Sequence, residues 1–161
     1  MVMFQSLFLE QRRNVIEHNG VTYHRYLSIP VKDTVILKFK VIRIDSPYTQ
    51  AVVISFPPAF DGTVSVDDRI IPIKKSSFPK ANFWMDTAPS EFAVTIRDYE
   101  GDIIVCNGSD PLGTKQICKH LSAGCAMVID CISPNKFICS CNDHVNDMDC
   151  DDLIFEVDIL S

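Results

Sequence analysis

The C-terminal stretch, residues 141–161, places the tightest constraint on how this chain folds. From residue 153 to residue 160, Leu153, Phe155, Val157 and Ile159 alternate with Ile154, Glu156 and Asp158. A period of two is typical of a β-strand that has one face in a core. An acidic, turn-rich segment comes directly before this strand. The C-terminus therefore predicts a loop that leads into a core strand.

The acidic segment concentrates the negative charge of the chain. Residues 141–161 contain six Asp, one Glu and no Lys or Arg, a charge of −7, whereas the whole chain has −6. Crowded carboxylates repel one another unless a cation or protons neutralise them, and Ca²⁺ binds about six to eight oxygen ligands. We therefore expect a calcium site built from this set: Asn142, Asp143, Asp147, Asp149, Asp151 and Asp152. A solvated, strand-capping loop without metal would explain the same residues, because Asp and Asn favour turns.

The acidic segment also resembles a known signature. The run Asp147-Met-Asp149-Cys-Asp151-Asp152-Leu153-Ile-Phe155 resembles the D-x-D-x-[ND]-D-[LV]-x-F pattern of a β-sandwich family found in bacterial adhesins, surface proteins and small uncharacterised bacterial proteins. Weaker likeness occurs at residues 84–89 and 124–127, and members usually have an aromatic residue at the position of Cys150. The resemblance implies a β-sandwich in which Asp147, Asp149, Asp151 and Asp152 bind a cation. It implies no catalysis.

Turn residues divide the rest of the chain into short strands. Strands are predicted at 21–28, 34–45, 50–56, 63–66 and 69–74, with a bulge at Val41-Ile42. Two hairpins are predicted, one joining 91–97 to 102–107 through residues 98–101, the other joining 124–132 to 136–141. A short helix is predicted at 115–121. The chain thus has roughly nine or ten predicted strands. We predict an all-β protein that forms a single antiparallel, jelly-roll-like β-sandwich.

The N-terminal segment is apolar and fits two kinds of structure. Val2, Phe4, Leu7, Phe8, Val15 and Ile16 suit an amphipathic helix or a first strand equally well. We predict an N-terminal arm or helix, residues 1–18, followed by a β-sandwich domain, residues 19–161, after the Asn19-Gly20 turn. Soluble monomers rarely leave such side chains uncovered, so the arm packs on its own chain or on another copy. We expect a homo-oligomer that forms through this arm.

Composition excludes several classes of function. A sequence pI near 5.1 and the lack of a Lys/Arg cluster in the sequence argue against nucleic-acid binding. No apolar run approaches the roughly 20 residues of a membrane span. Arg12 and Arg13 follow the N-terminal apolar run instead of preceding it, which argues against a secretory signal. We expect a cytoplasmic protein, or one exported without a classical signal peptide.

Three other kinds of site compete with calcium. Cys139, Cys141, His144 and Cys150 are zinc-ligand types, although burial of Cys139 and Cys141 on the Phe137 side of a strand would also explain them. Cys118 or Cys125 with His120 or His144 would suit a hydrolase. Trp84, Tyr48 and Tyr99 are candidates for stacking on a sugar, although a Trp flanked by Phe83 and Met85 is more often a core residue.

The sequence as a whole predicts a non-enzymatic binding or assembly module with calcium in its acidic loop. Zinc ranks second to calcium as the metal. The alternative functions are a self-assembling structural protein, a lectin-like domain that binds a carbohydrate or protein ligand, and, third, a Cys/His hydrolase. Most of the seven cysteines are expected to be free thiols.

Overall fold

A computed structural model describes residues 4–75, 77, 79–115, 125–143 and 147–161, and the backbone alone of residues 118–119. These residues form a short helix, α1 (Phe4–Gln11), and twelve strands. The strands are β1 (Val15–His18), β2 (Val21–His24), β3 (Leu27–Ile44), β4 (Thr49–Ser55), β5 (Thr63–Val66), β6 (Arg69–Ile71), β7 (Lys80–Trp84), β8 (Glu91–Asp110), β9 (Cys118–Lys119), β10 (Ala126–Ser133), β11 (Lys136–Asn142) and β12 (Leu153–Leu160). Within this described part of the chain, no helix is long and apolar enough to cross a membrane.

The strands form one antiparallel sheet that folds over a common core. Its hydrogen-bonded order is β1-β2-β10-β11-β12-β3-β8-β4-β7, with β5 and β9 attached to β8 and β6 attached to β5. Val53 of β4 and Val105 of β8 share a buried cluster with Cys139 of β11 and Phe155 of β12. This all-β, sandwich-like architecture confirms the predicted fold class.

The last strand, β12, lies at the centre of this sheet, between β11 and β3. Leu153, Phe155 and Val157 are each 0% exposed, which confirms the predicted period of two. Consecutive residues Ile154 and Phe155 pair with Arg43 and Val41 of β3. Ile42 is therefore the extra residue of a β-bulge, at the position that the Val41-Ile42 pair predicted.

The predicted hairpin at residues 98–101 is wrong. β8 runs without reversal for 20 residues and pairs with β3 along most of its length. Asp98 (φ 56°) and Gly101 (φ 148°) have left-handed backbone conformations, and a Cβ at Gly101 would collide with the Tyr99 side chain. On β3, Asp33 (φ 77°) lies opposite Tyr99 at a matching irregularity. The turn residues therefore bend two long paired strands together instead of ending either one.

Two further local predictions have opposite outcomes. The hairpin around residues 133–135 is present, since β10 and β11 pair in antiparallel register. The helix predicted at 115–121 is wrong at Cys118–Lys119, which form the strand β9 against β8. Pairing with the buried end of β8 overrides the local sequence preference there.

The N-terminal segment contains both predicted kinds of structure, a helix and then a strand. Phe4, Leu7 and Phe8 lie at helical spacing and are all buried, so α1 has one apolar face. That face packs within this chain against Ile16 and Tyr23. We call this group the loop cluster, because residues of the acidic loop complete it; its members are Phe4, Leu7, Phe8, Ile16, Tyr23, Ala126 and Cys150, with Val128 and Met148 packed against them.

Candidate metal centre

The acidic loop connects β11 to β12, two neighbouring strands of the sheet. Its ends are held together, because Cys141 pairs with Leu153 and the backbone N–H of Asp143 donates to Asp152 Oδ2 at 2.8 Å. The backbone N–H of Asp45, just after β3, donates to the carbonyl of Asp152 at 3.0 Å. Three neighbouring segments therefore fix the base of the loop.

The apolar residues of the loop are packed, whereas the acidic residues that alternate with them are exposed. Met148 (φ 61°) and Cys150 (φ 55°) adopt left-handed conformations and pack into the loop cluster below. Asp147 and Asp149, which alternate with them, are exposed to solvent. Left-handed conformations are costly for residues other than Gly, so the packing of Met148 and Cys150 must help to impose this loop shape.

Three of the predicted ligands come together. Asp147, Asp149 and Asp152 each offer a carboxylate oxygen, and these oxygens all lie within 4.8 Å of one another. Asp152 is 4% exposed, whereas the other two are on the surface. The group therefore has a buried base and an open mouth, and it offers oxygen ligands alone.

The electrostatics of the group favour bound positive charge. Burial raises the pKa of Asp152 to about 7, and the charges of Asp143, Asp147 and Asp149 also raise it, against the lowering effect of the Asp143 N–H. A hydrogen bond with Asp149 raises the pKa of Asp151. Repulsion between neighbouring carboxylates raises their pKa values, and a bound proton or cation reduces that repulsion.

Asp151 lies to one side of the three-carboxylate group. Its carboxylate is 3.5 Å from an Arg43 guanidinium nitrogen, and the same arginine contacts Asp45 at 2.6 Å. Arg43 therefore balances part of the charge of the loop and draws Asp151 toward β3. Asp151 is thus a predicted ligand that has a cationic side chain as its partner.

Asp143 and Asn142 brace the loop from inside the protein. The Asp143 side chain is fully buried and accepts hydrogen bonds from the Ser46 hydroxyl and, at 3.1 Å, from Gln50 Nε2. Asn142 Oδ1 accepts the backbone N–H of Cys150 at 3.3 Å. The Asn142 carbonyl accepts Asn107 Nδ2 at 2.7 Å. These contacts give both residues a supporting role, outside the group of three carboxylates.

Ser46, Gln50 and Asn107 were not predicted as part of the site. They belong to the β3–β4 connection, β4 and β8, far from the acidic loop in sequence. Gln50 and Asn107 are polar residues in apolar strands, and both are buried. That local contrast is the signal that could have marked them, since buried polar side chains need specific partners.

Cys131, Cys139, Cys141 and Cys150 are free thiols, and all of them except the exposed Cys131 are buried. Cys139 and Cys141 are 0% exposed on the core side of β11, where the partly buried Phe137 also packs. Burial raises the pKa of Cys139 to about 12 and raises that of Cys141 well above its usual range. Zinc binds thiolates, so protonated core thiols favour the packing interpretation. His144 lies outside the described residues.

The structure describes some of the residues predicted for a Cys/His hydrolase and for stacking on a sugar. Cys125 is buried, while His120, His144 and the Cys118 side chain lie outside the described residues. Tyr99 is a core residue whose ring packs against Phe60 at 4.9 Å. Trp84 is partly buried under the Lys115 ammonium group, 4.7 Å from the ring centroid. Tyr99 is therefore not available to stack on a sugar.

No family model matches this sequence, and no curated protein or solved structure is significantly similar to it.

Proposed function

We propose that this protein is a non-enzymatic β-sandwich binding module whose acidic loop holds a calcium ion in a structural role. The observation that carries the proposal is the close approach of carboxylate oxygens from Asp147, Asp149 and Asp152, all within 4.8 Å of one another. The likeness of this loop to the β-sandwich signature supports the same proposal.

Calcium suits the group better than zinc or magnesium. Ca²⁺ binds oxygen at about 2.4 Å, so two ligands of one ion can be separated by up to about twice that distance. Carboxylate oxygens with backbone carbonyls and water would complete its flexible shell. Mg²⁺ demands a tighter octahedron, and Zn²⁺ prefers nitrogen and sulfur. The Cys150 thiol packs in the loop cluster, and burial raises its pKa to about 12, so it offers no thiolate to zinc.

The proposed role is to neutralise the loop and fix its shape. With the three carboxylates neutralised, they no longer repel one another and open the loop. Met148 and Cys150 can then stay packed against α1. The ion would thereby join the N-terminal helix to the start of β12. No proton transfer or bond cleavage is required of any of these residues.

The partners of the module remain predictions. Assembly into a homo-oligomer through the N-terminal arm has less support than the sequence suggested, because Phe4, Leu7 and Phe8 are buried within a single chain. Light scattering at high micromolar concentration would test it, and a monomer there would contradict it. A carbohydrate or protein ligand on the sandwich would be sought once the metal is established.

Thermal melts in EDTA and in millimolar Ca²⁺ test the calcium proposal. Calcium at a hundredfold excess over Kd should stabilise the fold by about 2.7 kcal/mol. Asp149→Asn should reduce this gain, whereas Asp158→Asn on β12 makes the same change of charge outside the loop and should preserve it. Identical melting temperatures in both buffers, with no metal found by elemental analysis, would refute the proposal.

A further inference from the structure

A second candidate site lies at the other end of the loop cluster, where α1 meets β1 and β2. Arg12 and Arg13 follow the helix directly, and Arg12 has a left-handed φ of 53°. The β1–β2 hairpin then brings Arg25 back beside them, since the Arg25 N–H donates to the Asn14 carbonyl at 2.9 Å. A surface pocket of about 320 Å³ results, lined by Phe8, Leu9, Arg12, Arg13, Asn14 and Arg25. We call it the arginine pocket.

The charge of the arginine pocket is opposite to that of the chain. Its lining, drawn from the described residues, contains three guanidinium groups and no carboxylate, in a protein of net charge −6. Among the ion pairs of the described residues, none involves Arg12, Arg13 or Arg25. Arg43, by contrast, contacts both Asp45 and Asp151. Ion pairs within this part of the chain therefore do not account for the three arginines.

The Arg25 side chain is held in a definite orientation. Its guanidinium lies over the Phe8 ring, 4.8 Å from the centroid, and Phe8 is itself buried. This cation–π contact holds the Arg25 head group at the pocket wall. The buried Nε atom of Arg25 has no hydrogen-bond acceptor in the described structure. Arg25 as a whole is only partly buried and lines the pocket, so its terminal N–H groups are the donors that a ligand would meet.

We propose that the arginine pocket binds a phosphoryl group. Arginine binds phosphate through paired N–H donors, and three guanidiniums can neutralise a dianion. Leu9, 62% exposed at the rim, favours a phosphate monoester with an apolar substituent over bare phosphate. The acidic character of the rest of the chain argues for a single phosphoryl group and against a nucleic-acid backbone.

Binding should be measured by NMR titration of the full chain in EDTA, so that calcium neither occupies the loop nor precipitates phosphate. The probes are inorganic phosphate, phenyl phosphate, benzoate as a carboxylate control, and phosphatidylcholine vesicles with and without phosphatidic acid. Phenyl phosphate should bind more tightly than phosphate, and benzoate most weakly. Capture on phosphatidate vesicles alone, if the arginine variants abolish it, would support the same pocket with a lipid headgroup as its ligand.

Variants decide whether the arginines carry the binding. Arg25→Lys keeps the charge but loses the paired donors, and the double change Arg12→Gln and Arg13→Gln removes two charges; each should weaken binding at least about tenfold. Arg69→Gln, an exposed arginine on β6, is the matched control and should bind normally. Unchanged melting temperatures would show that the variants fold. Absence of binding to every phosphoryl probe, or equal binding by all variants, would overturn the proposal.

Discussion

The main core is the large buried cluster that contains Val53 and Val105. In it, Phe39, Phe92 and Phe155 stand on paired strands, and the Phe39 ring packs against both of the others. In the loop cluster, Met148 and Cys150 come from a connection in which they alternate with carboxylates. Backbone ladders hold the first set in register whether or not a ligand is present. The second set stays in place only while the acidic loop keeps its shape.

This difference predicts which part of the fold the proposed calcium ion would affect. Apolar burial supplies the stability of the sandwich, through a large cluster of buried hydrophobic side chains. Beneath the loop, the same kind of burial is opposed by repulsion between Asp147, Asp149 and Asp152. Calcium should therefore act mainly on the loop cluster and leave the main core unchanged.

The largest expected effect is on the main core. Phe155 is 0% exposed, so Phe155→Ala should lower the free energy of unfolding by about 3–5 kcal/mol. Because Phe155 packs in a different buried cluster from Met148 and Cys150, the added stability from calcium should equal that of the wild type. Urea unfolding in EDTA and in Ca²⁺ would show this. A variant that loses its response to calcium would break the distinction between the two regions.

A matched change in the loop cluster should behave differently. Phe8→Ala should cost about 2 kcal/mol, less than a core phenylalanine, because a terminal helix can detach before the whole domain unfolds. It should also weaken calcium binding, since α1 packs beneath the loop. Leu9→Ala, on the exposed side of the same helix, is the control and should change stability by less than about 0.5 kcal/mol. Equal calcium affinities in Phe8→Ala and wild type would contradict the coupling.

The bracing contacts should have a smaller effect. Ser46→Ala removes the hydroxyl that donates to the buried Asp143 carboxylate, while Gln50 still donates to it. We expect a loss of about 1 kcal/mol in the free energy of unfolding and weaker calcium binding. Ser28→Ala, on the exposed side of β3, controls for the loss of a hydroxyl. If both variants bind calcium like the wild type, Asp143 does not support the loop.

The pH dependence in the absence of metal sharpens the comparison further. The pKa of Asp152 rises from 3.8 to about 7 on folding, so the folded state binds more protons than the unfolded state between these values. Stability in EDTA should therefore fall as pH rises from about 4 to about 7. Asp152→Asn should remove this part of the slope, and calcium should reduce it in the wild type. Parallel pH profiles for wild type and Asp152→Asn would contradict this electrostatic account.

Local patterns predicted the parts of the fold that local chemistry decides. Alternation located β12, the Val41-Ile42 pair located the bulge, and Ser133-Pro-Asn135 located the β10–β11 turn. The same logic failed for β8, where Asp98 and Gly101 have the left-handed conformations of turn residues. Pairing with β3 on both sides of the bend decides that the strand continues, and this pairing is not visible in a short window of sequence.

The candidate sites show the same limit. Asp147, Asp149 and Asp152 are near one another in sequence, so their meeting could be predicted. Gln50 of β4 and Asn107 of β8 reach the loop through hydrogen bonds to Asp143 and Asn142, residues far from them in sequence. The β1–β2 hairpin brings Arg25 beside Arg12 and Arg13, so the arginine pocket is not visible as a contiguous basic cluster in the sequence. Long-range contacts depend on the topology as a whole.

Calorimetric titration of Ca²⁺ into metal-free protein tests the central claim most directly, with Asp149→Asn and Asp158→Asn titrated in parallel. We predict one saturable site per chain in the wild type and in Asp158→Asn, and binding weakened at least about tenfold in Asp149→Asn, which loses a charged ligand. No heat of binding at millimolar Ca²⁺, or equal affinity in all three proteins, would contradict a calcium site formed by Asp147, Asp149 and Asp152.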